Sequence, residues 1–390
     1  MSVFWLALAA FAIGTEAFVI AGLLPAIAAD LQITAPAAGQ LVTAYALTYA
    51  IGSPILAVAF NNVDRRTVLT LALSCFILGN LLAVVAPGFP VLMASRVLMA
   101  LGAGLCTPTA LGVAVAIAPP ERRGRAVALV TSGLTVATVI GVPIGTMIGN
   151  QVTWRATFVL VAVLGAIALA GLLLRLPRGL PAGTATFAER LAVARHTDVL
   201  YALVTTTLWA TGAISVFTYL AVPLRGIGFS AAEISLALLV FGSAAAIGNM
   251  LGGHLTDRLG TAPTSVLGLA GVITSLVLLS ATLKFAGSDH ARYVVLLPIF
   301  VWGISGWCFY PAQVASIMRS EPRAATIALS LNASFMYLGF ALGGALGGIV
   351  LSVLDPADLG FVGGSSVAAA LLVLVLRERR ERLKLLKIAG

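Results

Sequence analysis

The sequence predicts an all-α membrane protein whose twelve transmembrane helices form two pseudo-symmetric six-helix bundles. Hydrophobic residues make up 60% of the 390 residues and charged residues only 9%, whereas a soluble domain is usually about a quarter charged. Apolar runs of about 20 residues, the length that crosses a bilayer core, follow one another with short polar breaks. Segments of the two halves also match each other at a nearly constant offset.

Clusters of Pro, Gly and charged residues mark the breaks and place six spans in each half of the chain. The first bundle, residues 1–176, is predicted to contain spans at 3–28, 38–60, 67–86, 91–116, 125–148 and 156–176. The second bundle, residues 199–376, is predicted to contain spans at 199–222, 232–254, 263–285, 291–316, 325–348 and 360–376. A polar linker at 177–198 separates the bundles. A basic tail at 377–390 is expected to be an amphipathic surface helix or a plain topology anchor.

The evidence for two related halves is a set of short matches. The matched segments are Asp64 with Asp257, Gly104–Cys106 with Gly306–Cys308, and Ala128–Leu129 with Ala328–Leu329. Internal duplication of this kind is typical of carriers that expose one central site alternately to the two sides of a membrane.

Positive charge is concentrated on one side of the predicted membrane. Lys and Arg near membrane spans favour the cytoplasmic side, so both termini are expected to be cytoplasmic. The net charge of +9 is therefore a topology signal, aided by anionic lipid, and nucleic acid is not predicted as a partner. The residues assigned to the cytoplasmic side are Arg65, Arg66, Arg122, Arg123, Arg125, Arg175, Arg178, Arg190, Arg195, Arg258, Arg319, Arg323, Arg377, Arg379, Arg380, Arg382, Lys384 and Lys387, and those assigned to the opposite side are Arg155, Arg225, Lys284 and Arg292.

Several classes of protein are excluded by the same sequence. Each lysine follows a leucine, so the Gly-Lys phosphate loop of a nucleotide-driven pump is missing. The spans show neither the continuous polar stripe of a channel nor the residue groupings of an intramembrane hydrolase, and no enzyme activity or cofactor is predicted. The first run is too long for a signal peptide and lacks a basic start. Cys75, Cys106 and Cys308 lie inside predicted helices and the histidines are scattered, so no metal site or disulfide is predicted.

Two charged residues inside predicted spans are the candidates for proton coupling. Glu16 lies in the middle of the first span, where an ionised carboxylate costs several kcal/mol unless it is protonated, paired or exposed to a water-filled cavity. Each of these states would suit a proton carrier, although a neutral acid that only binds a neighbouring helix fits the pattern too. Arg96 lies in the fourth span at a similar depth. It is about 22 Å from the inner face of the membrane, and Glu16 is about 20 Å from it. The alternative for Arg96 is an arginine that reaches to the membrane interface.

Several motifs resemble those of the major facilitator superfamily over essentially the whole chain. Residues 253–260 are similar to its loop motif G-x-L-x-D-R-x-G, and a shorter copy survives at Asp64-Arg65-Arg66. Residues 96–102 are similar to the fourth-helix motif R-x-x-x-G-x-G. The segments most similar to the bacterial drug:proton antiporter branch, which includes sugar and chloramphenicol exporters, are Glu16–Val19, Leu24–Ala28, Ala37–Tyr45 and Trp154–Phe158.

The resemblance implies roles for further residues. Asp64, Arg65, Asp257 and Arg258 are expected to act as gates between the two halves, although a solvated turn explains them too. Gly141, Pro143 and Gly145 resemble the fifth-helix motif of exporters, G-x-x-x-G-P-x-x-G, which implies export rather than uptake, although ordinary helix packing explains these residues too. The cavity is expected between helices 1, 4, 7 and 10, with candidate lining residues Tyr45, Trp209, Phe217, Asn249, Tyr310, Asn332 and Phe335.

The sequence and the resemblance together predict a secondary transporter. It is expected to export a small drug-like or sugar-like solute in exchange for protons, as a monomer in a bacterial inner membrane. A mostly apolar, aromatic pocket suits a neutral or weakly polar solute. A proton-coupled importer of a small neutral solute and a non-transporting membrane sensor or scaffold are the alternatives.

Overall fold

The computed structural model describes residues 2–180, 187–285 and 292–389. Met1, residues 181–186 of the predicted linker, residues 286–291 and Gly390 of the predicted tail lie outside the described residues. The prediction of an all-α protein with twelve membrane helices is confirmed. The helices, named α1 to α12, are Ser2–Asp30, Ala35–Ala59, Arg65–Val84, Phe89–Ile117, Pro120–Gln151, Trp154–Arg175, Thr197–Gly226, Ala231–Leu259, Thr261–Lys284, Arg292–Ser320, Ala325–Val353 and Pro356–Glu381.

Several helices begin a few residues before the predicted spans because a polar residue caps them. The Thr34 hydroxyl accepts a hydrogen bond from the backbone N–H of Ala37 at the start of α2. Ser230 and Glu233 form a reciprocal capping box at the start of α8. Such side chains satisfy the backbone N–H groups that the first turn of a helix leaves without partners. The polar cap and first turn therefore belong to the helix, whereas hydropathy alone excludes them.

The last helix extends far beyond its predicted span of 360–376. Its α-helical residues run from Leu359 to Ala389, so residues 377–389 of the predicted tail continue α12 without a break. The reason is composition, because Leu, Arg, Glu and Lys are strong helix formers and this stretch contains no Gly or Pro. An ion pair between Arg377 and Glu381, one helical turn apart, supports the extension.

The two bundles pack in corresponding ways. In the first bundle α1 contacts α5 and α6, α3 contacts α4 and α6, and α2 contacts α4. In the second bundle the helices six positions later make the same pairs, with α7 on α11 and α12, α9 on α10 and α12, and α8 on α10. The two most extensive seams between the bundles are α2 against α11 and α5 against α8. These seams also correspond to each other, as expected for two repeats related by a pseudo-two-fold axis.

The helix ends define two sides of the molecule. We call the side that carries the α2–α3, α4–α5, α6–α7, α8–α9 and α10–α11 connections the linker side, and the other the distal side. A short helix at Phe187–Arg195, the linker helix, lies on the linker side between the bundles. Its Val193 and Ala194 pack against apolar residues of α7 and α11, among them Val199 and Leu331.

Candidate functional site

A fully buried ion pair joins α1 and α4. Glu16 and Arg96 form it, and both side chains are 0% exposed. The sequence placed the two residues at similar depth, and the structure brings their charged groups into direct contact. Opposite charges in a low-dielectric interior offset part of each other's loss of hydration, so the pair is far less costly than either charge alone.

Helix α2 supplies two further contacts of Arg96. The Arg96 Nε donates a hydrogen bond of 3.2 Å to the carbonyl oxygen of Leu41. The guanidinium carbon lies 4.5 Å from the centre of the Tyr45 ring, a cation–π contact. Among the described residues, the Arg96 Nη2 and the Tyr45 hydroxyl have no hydrogen-bond partner. A change of charge on Glu16 therefore acts directly on Arg96 and, through it, on Tyr45.

A series of aromatic contacts connects the ion pair to the second bundle. The ring centre of Tyr45 lies 6.4 Å from that of Tyr337, which lies 5.1 Å from that of Phe340. Phe340 and Phe217 each lie 6.0 Å from Phe18 of α1. The rings thus form a contiguous path of packed side chains across the interface between the bundles, the kind of contact that can carry coupling.

An aromatic cavity of about 40 Å³ lies at the interface, beside Phe18. Its lining contains none of the five charged or titratable residue types Asp, Glu, Lys, Arg and His. A pocket for a drug-sized ligand usually measures ~300 Å³ or more, so the cavity is contracted in this state. The lining residues that matter most below are Phe18, Trp209, Phe217, Trp302, Gly306 and Phe340.

The structure distributes the seven predicted cavity residues over several environments. Trp209 and Phe217 line the cavity. Tyr310 is half-buried, with its ring centre 6.3 Å from that of Trp209, and Tyr45 lies against Arg96.

The remaining three lie away from the cavity lining. Asn332 is buried inside the second bundle, where its Oδ1 accepts a hydrogen bond of 2.7 Å from the Thr206 hydroxyl. Phe335 packs against Leu331 and its neighbours near the linker helix. Asn249 is half-buried in α8.

Sequence reasoning missed several residues of this region. Phe18, Trp302 and Phe340 line the cavity, and Gln313 is fully buried and donates hydrogen bonds to the Ala202 carbonyl and the Thr206 hydroxyl. The spacing of Trp302, Gly306, Tyr310 and Gln313 along α10 follows one helical face, and this signal could have placed Trp302 and Gln313 beside the predicted Tyr310.

A larger vestibule opens on the linker side. It measures about 760 Å³ and lies between the ends of α2 and α4, the start of α11 and the linker helix. Arg65 and Asn61 line it from the first bundle, and Ser330 lines it from the second. Arg190 of the linker helix donates a hydrogen bond of 2.9 Å to the Ser330 hydroxyl. Partial burial in the vestibule lowers the pKa of the Arg190 guanidinium.

The predicted gate residues lie on the linker side, and within the described part of the chain they make no hydrogen bond or ion pair between the two bundles. Asp64 caps α3 by accepting a hydrogen bond from the Thr67 N–H, and it accepts another of 2.8 Å from the N–H of Leu180. Asp257 and Arg258 are exposed at the end of α8. In this state, with the linker side open, the geometry of Asp64 is that of a helix cap and a tether for the linker.

The distal side is sealed by close packing of α2 against α7 and α11. The Tyr219 hydroxyl donates a hydrogen bond of 2.8 Å to the carbonyl oxygen of Gly344. A Cβ atom at Gly39 of α2 would lie 1.9 Å from this hydroxyl. A Cβ atom at Gly344 would lie 2.7 Å from the Thr43 Oγ1. Glycine at these two positions permits the close approach of the helices, and the seal leaves the vestibule as the open side.

The glycine-rich stretch of α5 packs against α1 next to Glu16. A Cβ atom at Gly141 would lie 2.1 Å from the Thr15 Oγ1, and one at Gly145 would lie 2.8 Å from a methyl of Val19. Residues Ala137–Gly141 form a single π-helical turn just before Pro143. A wider turn of this kind often marks a functional site within a helix. The glycine motif of α5 therefore packs directly against α1, the helix that carries Glu16.

Trp154 and Arg155 hold the distal ends of α1 and α6 together. The Trp154 Nε1 donates a hydrogen bond of 2.9 Å to the Asp30 carboxylate, and Arg155 pairs with the same carboxylate at 2.6 Å. Arg155 also donates a hydrogen bond of 3.0 Å to the carbonyl oxygen of Ala86.

Within the described residues, no group of three or more His, Cys, Asp and Glu side chains could hold a metal ion.

Comparison with known proteins identifies the family. The model of the Major Facilitator Superfamily matches residues 6–226 and 207–389. The chain is 34% identical over 383 residues to the inner membrane transport protein YdhP of Escherichia coli, covering 97% of this chain and 95% of that protein. It is 34% identical over 380 residues to a chloramphenicol resistance protein of Streptomyces lividans, covering 96% of this chain and 95% of that protein.

A solved structure shows the same fold. The D-xylose-proton symporter matches with a TM-score of 0.77 at 14% identity, over 95% of this chain and 96% of that one. The protein is a multi-pass membrane transporter of a small molecule and not an enzyme. With two matching family segments that cover both bundles, the chain belongs to the Major Facilitator Superfamily.

Proposed function

We propose that this transporter exports a small drug-like or sugar-like solute in exchange for protons, with Glu16 as the proton carrier. The observation that carries the proposal is the fully buried Glu16–Arg96 ion pair inside two membrane helices. An ionisable group in this position is costly and is retained where it serves ion movement. The aromatic path from Tyr45 to the cavity supplies a physical link between the protonation state and the solute site.

The proposed cycle uses two charge states of Glu16. When Glu16 is ionised it pairs with Arg96, as in the state described, with the vestibule open on the linker side. With solute bound, the bundles would shift to a state open on the distal side, where Glu16 takes up a proton from that side as the solute leaves. Protonation removes the Coulomb attraction between Glu16 and Arg96 and leaves the arginine with its contacts to the Leu41 carbonyl and the Tyr45 ring. Return to the state open on the linker side and release of the proton there would restore the pair, so that solute and proton move in opposite directions.

The proposed direction is out of the cell, with the linker side and both termini in the cytoplasm of a bacterial inner membrane. The distribution of Lys and Arg supports this orientation. The glycine and proline residues of α5 support export, as does the similarity to a chloramphenicol resistance protein. The open vestibule would then be the side from which solute enters.

The test is transport by purified protein in liposomes with an imposed pH gradient. With Glu16→Gln we expect solute binding to persist and proton movement to disappear, because the amide keeps the size of the side chain and cannot ionise. Glu121→Gln is the matched control, since Glu121 is exposed on the linker side outside the site. Full proton coupling in Glu16→Gln would remove Glu16 from its proposed role.

The same assay separates the alternatives. An importer predicts that solute accumulates in the direction in which protons flow, and a sensor or scaffold predicts no transport at all. Either result in the wild-type protein would overturn proton-driven export.

A further inference from the structure

An orphaned hydrogen-bond donor lies in the aromatic cavity. The Trp209 side chain is only 5% exposed, and its Nε1 has no hydrogen-bond partner among the described residues. The indole N–H can only donate. Burial of such a group without a partner costs about 1–3 kcal/mol. A bound solute that accepts a hydrogen bond from the indole N–H would remove this cost.

The surroundings hold this donor in a fixed place with space in front of it. The ring centre of Trp209 lies 5.1 Å from that of Phe309 and 6.3 Å from that of Tyr310, so the indole is braced on α10. A Cβ atom at Gly306 would lie 3.8 Å from the Trp209 Nε1. Because Gly306 has no side chain, the space beside the N–H belongs to the cavity, which Gly306 also lines.

The rest of the lining restricts what can bind. The hydroxyl of Thr138, a lining residue, already donates to the Thr135 carbonyl. Phe18, Phe217 and Phe340 offer only ring faces and edges. A solute with many hydroxyl groups would lose its hydration here and regain few hydrogen bonds. A cation or anion would find no opposite charge among the lining residues.

We infer that the Trp209 Nε1 donates a hydrogen bond to an acceptor atom of the solute and selects uncharged aromatic compounds that carry a carbonyl, nitro or ether oxygen. The inference rests on the proposed function, because it names the solute class of the same exporter. Of the two proposed solute classes, drug-like and sugar-like, the inference favours the drug-like one. The contracted cavity must widen to seat such a solute, with Phe18 and Phe217 moving as the bundles shift.

The test compares two probes that differ in one group. Benzophenone carries a carbonyl where diphenylmethane carries a methylene, and the two are otherwise alike in size and shape. Binding to purified protein in lipid nanodiscs is measured by calorimetry against empty nanodiscs. We expect the wild-type protein to bind benzophenone about tenfold more tightly, the ratio that one net hydrogen bond of about 1.4 kcal/mol gives.

Trp209→Phe removes the donor and keeps an aromatic ring, so the preference should fall to within twofold. Trp5→Phe is the matched control, because Trp5 packs against Gly171 away from the cavity, and it should keep the tenfold preference. Gly306→Ala is a second variant that the site accepts, since the new Cβ makes only ordinary contacts of 3.6 Å or more. It should weaken benzophenone binding at least threefold by filling the space beside the N–H.

An unchanged preference in Trp209→Phe, or equal binding of both probes by the wild-type protein, overturns the inference. These binding results are independent of proton movement, which the Glu16→Gln assay reports. Failure of the solute assignment and failure of proton-driven export are therefore distinguishable.

Discussion

Glu16 and Arg96 depend on each other for their burial in the first bundle. The pair is shielded from water, and Arg96 makes its further contacts with the Leu41 carbonyl and the Tyr45 ring. Removal of one partner from a buried pair leaves an uncompensated charge and usually costs 3–5 kcal/mol, whereas removal of both can be nearly neutral. The ion pair can therefore be tested through the free energy of unfolding of single and double variants, without a transport assay.

We expect Arg96→Met to lower the free energy of unfolding by about 3 kcal/mol or more, because Glu16 loses its partner. The double variant Glu16→Gln/Arg96→Met should recover most of this loss. Thermal unfolding of the detergent-solubilised proteins measures both. A double variant as unstable as Arg96→Met would show that the arginine acts through packing and not through the pair.

The sequence predicted the two residues of the ion pair but not most of the aromatic residues that line the cavity. Glu16 and Arg96 were found because a charge in an apolar span is rare and its depth can be counted along a helix. Phe18 and Phe340 were missed because lipid-facing and protein-facing residues of a membrane helix are both apolar. The hydropathy pattern then carries no information on which face is buried. Only the packed structure distinguishes them.

Among the helices, α5 combines a functional motif with a packing requirement. Its glycines let α1 approach so closely that the backbone of α5 contacts Thr15, the residue before Glu16. The π-helical turn at Ala137–Gly141 shifts the face of α5 within the membrane. Helix α5 therefore positions the acid from one side while α4 holds it from the other.

We expect Gly141→Ala to reduce both stability and transport, because its Cβ would lie 2.1 Å from the Thr15 Oγ1. Overpacking of this kind usually costs about 1–3 kcal/mol. Thr15→Ala should suppress the defect, since the Thr15 hydroxyl has no hydrogen-bond partner to lose among the described residues.

Gly124→Ala provides the matched control for this change, because Gly124 lies in the same helix and no atom lies within 4 Å of its Cβ position. Unfolding temperature and initial transport rate are the measurements. A Thr15→Ala/Gly141→Ala protein that remains as defective as Gly141→Ala would contradict a steric cause.

The helices also differ in how well their ends could be predicted. Hydropathy located every span, because the length needed to cross the bilayer is fixed by its thickness. It misplaced the end of α12, where the charged residues that stop an apolar run are also strong helix formers. It also missed polar caps such as Ser230, which belong to a helix for reasons of hydrogen bonding and not of hydropathy.

The molecule as a whole is sealed on one side and open on the other. Glycines bring α2 and α11 together on the distal side, whereas the linker helix occupies the wide mouth between the bundles on the linker side. A hydrogen bond from the Leu180 N–H to the Asp64 carboxylate ties the linker to the first bundle, and Arg190 ties it to Ser330 of the second. In the proposed cycle, rocking of the bundles would separate the distal contacts and close the vestibule.

We expect a cross-link across the distal seal to stop transport reversibly. Thr43→Cys and Gly344→Cys are suited to it, because a Cβ atom at Gly344 would lie 3.3 Å from the Thr43 backbone nitrogen. The three native cysteines are first replaced by alanine. Oxidation should abolish transport and reduction should restore it, as measured in liposomes. Undiminished transport with the cross-link complete would mean that these helices do not separate.

The absence of charge from the lining of the aromatic cavity has an electrical consequence for the proposed exchange. If one proton enters for each neutral molecule that leaves, every cycle moves one net positive charge across the bilayer. The membrane voltage then drives export with about 2.3 kcal/mol per 100 mV, even where the two compartments have equal pH. Collapse of the voltage alone should slow export of a neutral compound.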